Sequence, residues 1–508
     1  MIKKTALAAA VLSVALVAPA IAKKNSNTEP YPYGNPVVTN MYTADAAPKV
    51  MPDGRVWMVT SVDHEDKRGY HNMEALHMFS TADMKNWVDH GTVLHTRDMP
   101  QGEDEDWAIW APDMIYRNGT YYIYYPMRNV LEVSKGHKGK DRKIDRYVAV
   151  AESDRPDGGF EVTVDRMAGV PIAGLDPSVF IDDDGKAYLY YNRALMGVLN
   201  EDMRDLDGKP FTLNYGAKNF MEAAWMHKRG GKYYYNYHTK YDRHVDKNNP
   251  DDPKRKLSLL DYSMGDSATG PLEYMGVINH ELGYGVDTSN GPTYPGKDYV
   301  PWRLNQSNHG AVIEFHGQEY FFYHTSALSS WRQDSFKAEG TWTQRSVCVD
   351  YLNYNDDGTA IPVQQTLEGV AAVTIDQPFS IKPELPAKGK GFRVNNGSVT
   401  AKDGAVIELT DMDFGTGYYY FGMTVEQTTP NGHIEVRRDS PDGMLMGTLL
   451  LRDHSMKINN ARTETFLREA HGNDRKVYLV FRTEGQQVKV SAPDFFAGSP
   501  KRLPGDPK

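Results

Sequence analysis

The sequence has almost no cysteine and few of the patterns that mark common enzyme classes. Cys348 is the single cysteine of 508 residues, so no disulfide can form within the chain. HExxH, CxxC, a phosphate-binding P-loop and a G-x-S-x-G nucleophile elbow are all absent. These absences argue against zinc hydrolysis of the common type, phosphoryl transfer and serine esterase chemistry.

Long hydrophobic runs and long basic runs are also lacking beyond the first residues. The formal net charge is −10, and the chain has no long basic run that would attract a phosphate backbone. We therefore do not expect nucleic acid as a partner. Without a further apolar stretch of about twenty residues, the sequence predicts no membrane span in the mature chain.

The first 22 residues have the pattern of an export signal. Lys3 and Lys4 precede an apolar run over residues 6–17, and Ala20-Ile21-Ala22 is a small-x-small cleavage site. An uncleaved anchor is the alternative, although the apolar run is short for one. We therefore expect a periplasmic or secreted protein.

Length and aromatic content favour two or three β-rich domains. A chain of 508 residues exceeds one ordinary core. Its 32 Tyr, 17 Phe and 8 Trp suit strands and flat surfaces on which sugars stack.

One pattern recurs five times: an apolar stretch, a glycine-containing turn, then closely spaced aromatic or branched residues. The copies lie at residues 49–61, 114–126, 179–191, 225–239 and 312–325, with turn glycines Gly54, Gly119, Gly185, Gly231 and Gly317. Each copy reads as a β-hairpin, because Asn-Gly and Asp-Gly supply the positive φ of a tight turn. Radial repetition of small sheets predicts a five-bladed β-propeller; a β-sandwich or jelly roll is the alternative.

Equivalent positions in such a ring carry a set of functional side chains. Nine residues before the five turn glycines stand Asp45, Trp110, Asp176, Glu222 and Asn308, the last followed by His309. Inner strands line the axis of a propeller, so these side chains are expected to meet in one pocket.

Three carboxylates in one pocket suit glycosidic bond cleavage. That reaction needs one protonated carboxyl group and a second ionised one opposite it. A third carboxylate raises the proton affinity of its neighbour by repulsion. Each Asp could instead be a turn former, Trp110 a core aromatic, and His309 a packed axial residue.

At these residues the chain resembles glycoside hydrolase family 43, whose members are five-bladed propellers acting on arabinose- and xylose-containing polysaccharides. The resemblance covers about residues 30–375 and rests on TADAAP, Trp110-Ala111-Pro112-Asp113, the run Leu175 to Gly185, Phe220-Met221-Glu222-Ala223-Ala224 and Asn308-His309-Gly310. It implies Asp45 as general base, Glu222 as general acid and Asp176 as the residue that tunes and orients the acid. The family often has Gly or Asp where this chain has Ala223.

The resemblance also implies substrate and metal contacts. Trp110, His309 and Arg345 are the expected substrate contacts, Arg345 pairing with substrate hydroxyls or with the pocket carboxylates. His309 would also help hold a calcium ion through water. No organic cofactor is expected. The reaction would invert the anomeric centre, with acid and base roughly 6.5–9.5 Å apart.

A second domain follows a Pro-rich seam. We assign residues 1–22 to the signal peptide, 30–375 to the propeller, 376–390 to the linker and 391–500 to a β-sandwich. The sandwich resembles a family 6 carbohydrate-binding module over residues 413–417 and 434–443, but its usual Gly-Trp is missing from residues 451–466. It could therefore serve packing or glycan binding, and the seam predicts a propeller that acts without it.

The resulting prediction is an all-β, monomeric, exported inverting glycoside hydrolase acting on oligo- or polysaccharides. An α-L-arabinofuranosidase is favoured, partly by the segment at residues 355–359. A β-xylosidase or an exo-acting galactan hydrolase is the alternative. A non-catalytic glycan-binding propeller is the alternative of another class, although it would be expected to lack one of the three carboxylates.

Overall fold

The structure is a computed structural model that describes residues 27–497, apart from residues 28, 67, 100–106, 135–140, 171–173, 240–243, 245, 251, 253–258, 280–306, 338–339, 376–379, 386–387, 416–418, 428, 430 and 452–461. The predicted signal peptide at residues 1–22 lies outside the described residues. None of the described helices is long and apolar enough to cross a membrane.

Five antiparallel sheets follow one another along the chain, which confirms the predicted blades. Blade 1 contains β1 (Tyr42–Val50), β2 (Val56–Asp63), β3 (Ala75–Thr81) and β4 (Trp87–His95). Blade 2 contains β5 (Ala108–Ile109), β6 (Asp113–Arg117), β7 (Thr120–Ser134), β8 (Asp141–Ser153) and β9 (Glu161–Val164). Blade 3 contains β10 (Ser178–Ile181), β11 (Ala187–Tyr191), β12 (Leu195–Val198) and β13 (Phe211–Thr212).

The last two blades complete the ring. Blade 4 contains β14 (Phe220–Arg229), β15 (Lys232–Thr239), β16 (Leu260–Gly265) and β17 (Leu272–Asn279). Blade 5 contains β18 (Ala311–Phe315), β19 (Gln318–Thr325), β20 (Ser346–Tyr354) and β21 (Ala360–Ile361). The inner strands β1, β6, β10, β14 and β18 contact one another in this order, and β18 contacts β1. The five blades therefore close into a propeller.

The five predicted hairpins are the first two full strands of each blade. Asn118 and Gly119 both have positive φ, 51° and 89°, between β6 and β7, as a tight two-residue turn requires. Gly54, Gly185 and Gly317 also have positive φ at their turns. The local turn chemistry thus fixes the register of each inner strand against its neighbour.

Helices are few, as expected from the absence of a 3.6-residue apolar period. Among the described residues there is one α-helix, α1 (Ala327–Asp334), and one short 3-10 helix, Thr96–Asp98. The helix follows β19 and packs through Ala327 and Leu328 against the N-terminal segment near Tyr31 and Tyr42.

The C-terminal part is a β-sandwich with its own core. Its strands are β22 (Ser380–Ile381), β23 (Gly389–Asn395), β24 (Ser398–Met412), β25 (Tyr419–Gln427), β26 (His433–Arg438), β27 (Leu445–Leu450), β28 (Arg462–Leu467), β29 (Arg475–Arg482), β30 (Gln487–Ser491) and β31 (Asp494–Ala497). They pair in the order β22-β31-β25-β30-β24-β29-β26-β27, with β23 on β24 and β28 on β25. Ile407, Phe421 and Leu479 are fully buried in its core.

The sandwich packs closely on blades 1 and 2. Arg55 pairs with Glu464 at 2.7 Å, and both side chains are buried. The Trp57 ring stacks at 6.4 Å from the ring of Tyr420, and Thr465 donates to Asp157 at 2.9 Å. In addition, β22 lies inside the segment predicted as a linker, because Ser380 and Ile381 pair with β31. Part of the predicted linker thus belongs to the sheet of the sandwich.

Candidate active site

A cavity of about 210 Å³ lies at the end of the axis where the inner strands begin. It brings together the three predicted carboxylates together with Trp110, His309 and Arg345. Its lining is Asp45, Tyr70, Met73, Trp110, Ala111, Arg146, Leu175, Asp176, Glu222, Ser307, His309 and Arg345. The nine-residue spacing therefore selected side chains of one pocket.

A β-bulge positions Asp45. In β1, Ala44 pairs with Ser61 and Ala47 with Val59, so Asp45 and Ala46 together face a single residue of β2. Bulges re-aim side chains next to active sites. Asp45 takes a left-handed conformation, φ 55°, and is 3% exposed. It is therefore a buried cavity residue and not an exposed turn former.

A second bulge positions Glu222 in blade 4. Glu222 pairs with His238 and Trp225 with Asn236, so Ala223 and Ala224 share one partner, and Ala223 has φ 62°. Asp176 precedes β10 with φ 48°. Its Oδ2 accepts the Ala223 amide at 3.2 Å, which ties the carboxyl group of blade 3 to the backbone beside Glu222.

Arg345 holds Asp45 from the side of blade 5. Its Nη1 donates to Asp45 Oδ1 at 2.8 Å. The same guanidinium binds Asp63 in a bidentate manner, with Nη2 at 2.7 Å from Oδ1 and Nε at 3.0 Å from Oδ2. Ser61 donates to the other oxygen of Asp45. Both oxygens of Asp45 are thus held in one orientation.

Three histidines surround the carboxylates. His309 Nε2 lies 3.3 Å from Asp45 Oδ1 and 4.0 Å from Asp176 Oδ2, so this ring lies near the carboxylates of blades 1 and 3. His238 Nδ1 lies 3.4 Å from Glu222 Oε1. The third ring, His324, lies with Nδ1 3.4 Å from the Asp45 amide nitrogen.

The carboxyl groups of blades 3 and 4 differ in proton affinity. Burial, with repulsion from Glu222 and Asp45, raises the pKa of Asp176 well above its ordinary value. Burial also acts to raise the pKa of Glu222. Contacts from His238, His309 and Ser307 outweigh that effect and lower the pKa of Glu222 to about 2. Of this pair, Asp176 therefore has the higher proton affinity.

The histidine charge that lowers the pKa of Glu222 depends on pH. Burial lowers the pKa of His309 from 6.5, against the attraction of Asp45 and Glu222. Its ring is then neutral at neutral pH, and its charge favours ionised Glu222 only in more acidic solution. The site therefore holds two carboxyl groups of different proton affinity, as acid–base catalysis requires.

Trp110 forms part of the cavity wall and is half-buried. The guanidinium carbons of Arg128 and Arg146 lie 5.1 and 5.6 Å from the centre of its ring. Asn308 is fully buried, and its Oδ1 accepts a hydrogen bond from the His324 backbone amide at 3.1 Å. Asn308 therefore positions the backbone of His324, which lies beside Asp45.

The nine-residue spacing before each turn glycine identifies residues of the inner strands, but it does not identify their partners on the strand that follows the turn. Ser61, His238 and His324 each stand seven residues after a turn glycine and contact the residue nine positions before it. The other two blades repeat the relation through the backbone: Trp110 donates to Pro126, and Asn192 donates to Leu175, next to Asp176. The position across the turn was therefore a signal for these residues. Asp63, Tyr70, Met73 and Arg146 carry no such signal.

The predicted calcium ion has a weak fit to the donor set around His309. Among the described residues no group of three or more His, Cys, Asp or Glu is arranged to hold a metal. Asp45, the nearer carboxylate to His309, is already bound by Arg345 and Ser61. No chemical step is therefore assigned to a metal, and calcium stays a prediction.

A larger cavity, about 280 Å³, lies at the other end of the axis near the hairpin turns. Its buried Lys49 pairs with Asp113 at 3.1 Å and lies 3.9 Å over the Trp225 ring. Its acid Asp183 binds Lys228 at 2.8 Å near the surface. These groups are neutralised in pairs, so the acid–base chemistry belongs to the smaller cavity.

Comparisons with known proteins agree with this geometry. Residues 33–256 match the family description "Glycosyl hydrolases family 43". A xylosidase/arabinosidase of Bacteroides ovatus is 30% identical over 380 residues, which span 65% of this chain and 97% of that protein. The arabinoxylan arabinofuranohydrolase of Bacillus subtilis (strain 168) is 26% identical over 506 residues, 89% of this chain and 90% of its own length.

A solved structure extends the likeness to the whole fold. The family 43 arabinoxylan arabinofuranohydrolase from Bacillus subtilis, in complex with cellotetraose, has a TM-score of 0.52 at 24% identity. The match covers 92% of this chain and 98% of that chain. At this identity the likeness concerns the fold, and it includes both the propeller and the sandwich.

Proposed function

We propose that this chain, a glycoside hydrolase that belongs to glycosyl hydrolases family 43, releases α-L-arabinofuranosyl units from arabinose- and xylose-containing glycans with inversion at the anomeric carbon. The observation that carries the proposal is the meeting of Asp45, Asp176 and Glu222, from three blades, in one cavity of about 210 Å³. A cavity of this size suits a single sugar unit at the end of a branch.

Asp45 is proposed as the general base. Arg345, Ser61 and His309 fix its carboxylate at the wall of the cavity. A water molecule between Asp45 and the sugar would give its proton to the carboxylate while its oxygen attacks the anomeric carbon. The bond from that carbon to the leaving oxygen breaks in the same step.

Glu222 is proposed as the general acid that protonates the leaving oxygen. Its side chain is 15% exposed, so it is the carboxyl group of this trio most open to the cavity. A bound sugar would remove water from Glu222 and raise its proton affinity. Because Asp176 and Glu222 titrate together, a proton taken up by the pair would then be shared with Glu222.

The proposed sugar, arabinofuranose, is inferred from the names of similar proteins and not from a particular contact in the cavity. The relatives' names include both xylosidase/arabinosidase and arabinoxylan arabinofuranohydrolase. The segment at residues 355–359 gives no support, because it forms the turn between β20 and β21, where Tyr234 donates to Gly358 at 2.7 Å. A β-xylosidase or a galactan-directed hydrolase is therefore the second candidate.

The sugar preference is tested by rates on chromogenic α-L-arabinofuranosides, β-xylosides and galactosides. We expect the arabinofuranoside to have the highest kcat/KM. A higher value for the xyloside would replace the proposed specificity without changing the mechanism.

Glu222→Gln tests the acid. It keeps the shape of the side chain but cannot deliver a proton, so hydrolysis of a substrate with a poor leaving group should fall by about 10² or more. Glu314→Gln, which changes a carboxylate of the opposite end, is the matched control. An unchanged rate in Glu222→Gln would remove this residue from the mechanism.

The proposal also covers the location of the protein, its oligomeric state, a metal ion and the second domain. Export to the periplasm or medium is proposed from the sequence of residues 1–22. Monomeric action on oligo- or polysaccharides and a water-mediated calcium near His309 are proposed with it. For the sandwich, glycan binding is proposed from its resemblance to a family 6 carbohydrate-binding module, with a packing role supported by its buried contact with Arg55.

A further inference from the structure

Two arginines line the catalytic cavity, and their surroundings differ. Arg345 is 2% exposed and saturated by Asp45 and Asp63. Arg146, at the site end of β8, lines the same cavity, and its Nε–H is buried without a hydrogen-bond partner among the described residues. Because Arg146 lines the cavity and its guanidinium has no ion pair among the described residues, its charge is available to an anionic acceptor that enters the cavity.

Trp110 holds Arg146 in place. The guanidinium carbon lies 5.6 Å from the centre of the indole ring, within the range of a cation–π contact. A planar guanidinium stacked on an aromatic ring is weakly hydrated and presents its N–H edge in a fixed direction. The ring thus orients a positive charge towards the cavity without neutralising it.

Arg128 offers an internal comparison at the same ring. Its guanidinium carbon lies 5.1 Å from the Trp110 ring centre, but its Nη1 donates to Asn72 Oδ1 at 3.0 Å, and it is outside the cavity lining. The two arginines therefore share one aromatic support, and Arg146 is the one directed at the place where substrate would bind.

We propose that Arg146 selects substrates that carry an anionic group beside the bond to be cleaved, and that the group is the carboxylate of a uronic acid. The proposal deepens the function proposed above and rests on it. Guanidinium and carboxylate fit in a bidentate pair, whereas a sugar hydroxyl offers a weaker neutral acceptor. A sulfate ester has the same anionic chemistry and is the second source of such a group.

The test compares two arabinofuranosylated xylo-oligosaccharides, one with a neighbouring glucuronic acid and one with that acid reduced to glucose. We expect the wild-type kcat/KM to favour the carboxylate, and Arg146→Gln to lower the ratio of the two values by about tenfold or more. Arg128→Gln should leave the ratio within about threefold, since it removes a charge near the same ring but outside the cavity. A sulfated counterpart of the neutral substrate shows whether sulfate replaces carboxylate.

Salt provides a second readout. The preference for the charged substrate should shrink between about 0.05 and 0.5 M NaCl, because screening weakens attraction between charges. Arg146→Lys keeps the charge but loses the bidentate fork, and should give a ratio between those of the wild type and Arg146→Gln.

Several outcomes would overturn the inference: a ratio unchanged in Arg146→Gln, equal loss on both substrates, or a wild-type preference for the neutral substrate. Each would make Arg146 a residue that binds hydroxyls or tunes Asp176. If the wild type hydrolyses neither substrate, the proposed function fails instead. Calorimetry of D-glucuronate binding to the full-length Glu222→Gln protein, with and without Arg146→Gln, then still decides the inference.

Discussion

Replacing Glu464 by Gln should weaken the contact between the sandwich and the propeller. In the folded protein, burial acts to raise the pKa of Glu464, but Arg55 and Arg462 lower it from 4.5 to about 2. A difference of about 2.5 pH units corresponds to about 3 kcal/mol of folding free energy, at about 1.36 kcal/mol per unit. Loss of one partner from a buried ion pair typically costs about 3–5 kcal/mol, which agrees.

The pH dependence follows from the direction of this shift. Because the folded-state pKa is below the unfolded value, the stabilisation is fully present above about pH 4.5 and disappears as the pH falls towards about 2. The difference between wild type and Glu464→Gln should therefore be largest at neutral pH and should narrow below about pH 4.5.

Calorimetry measures the effect. At about 2–4 °C per kcal/mol for a domain of 150–250 residues, a loss of about 3 kcal/mol should lower Tm by roughly 6–12 °C. Glu426→Gln is the matched control, since that carboxylate pairs with Lys489 on the open surface of the sandwich, and we expect no measurable change. Equal Tm values for wild type and Glu464→Gln at pH 7, or a difference that persists undiminished at pH 3, would refute the reasoning.

Three other perturbations test the catalytic cavity. Asp176→Asn should raise Tm at pH 7, because a carboxyl group whose pKa is raised in the folded state destabilises the folded protein as the pH rises above 3.8. Calorimetry should show that this gain in Tm disappears below pH 3.8. A lower Tm at pH 7 would contradict the prediction. Arg345→Lys keeps the charge but cannot bridge Asp45 and Asp63 together, so kcat/KM should fall by about 10² in steady-state assays; an unaltered value would show the bridge to be dispensable. Asp45→Asn should abolish turnover without a trapped glycosyl-enzyme in mass spectra, and proton NMR of the fresh wild-type product should show the inverted anomer; a retained anomer would exclude the role of Asp45 as base.

The propeller could be predicted because its information is local. Each hairpin is specified by a turn glycine and by aromatic or branched residues within seven positions of it, as in the Asn118-Gly119 turn. Equivalent turns imply equivalent positions in a ring. This equivalence predicts from the sequence alone that Asp45, Asp176 and Glu222 lie in one cavity, where the structure places them.

The rest of the site depends on contacts between distant segments. Asp63 and Arg345 are 282 residues apart, and their bidentate pair forms only when blade 5 closes on blade 1. Arg146 reaches the cavity because β8 runs back beside Trp110. No turn or period in the sequence marks such pairs, so sequence patterns alone could not single them out.

The sequence also predicts that the propeller acts without the sandwich, and this prediction too depends on contacts between distant segments. The Pro-rich seam can be recognised in the sequence, but the aromatic contact between propeller and sandwich cannot. Trp57 is fully buried partly by Tyr420 of the sandwich, and Arg55 lies 4.5 Å over the same ring. A chain that ends near Ile375 would leave both side chains without these contacts. We therefore expect the shortened propeller to be less stable than the full chain, in calorimetry at equal pH, even if it keeps its cavity.

The two bulges connect the fold to its chemistry. Blade 1 and blade 4 each insert a residue opposite one partner, and each leaves a residue in the left-handed region, Asp45 at φ 55° and Ala223 at φ 62°. Such conformations cost roughly 1–3 kcal/mol each and persist only where the surroundings hold them. Here the surroundings are the ring itself, because Arg345 of blade 5 holds Asp45 and Asp176 of blade 3 holds the Ala223 amide. The blades thus fix one another's strained residues, and the carboxylates face the axis only when the ring is closed.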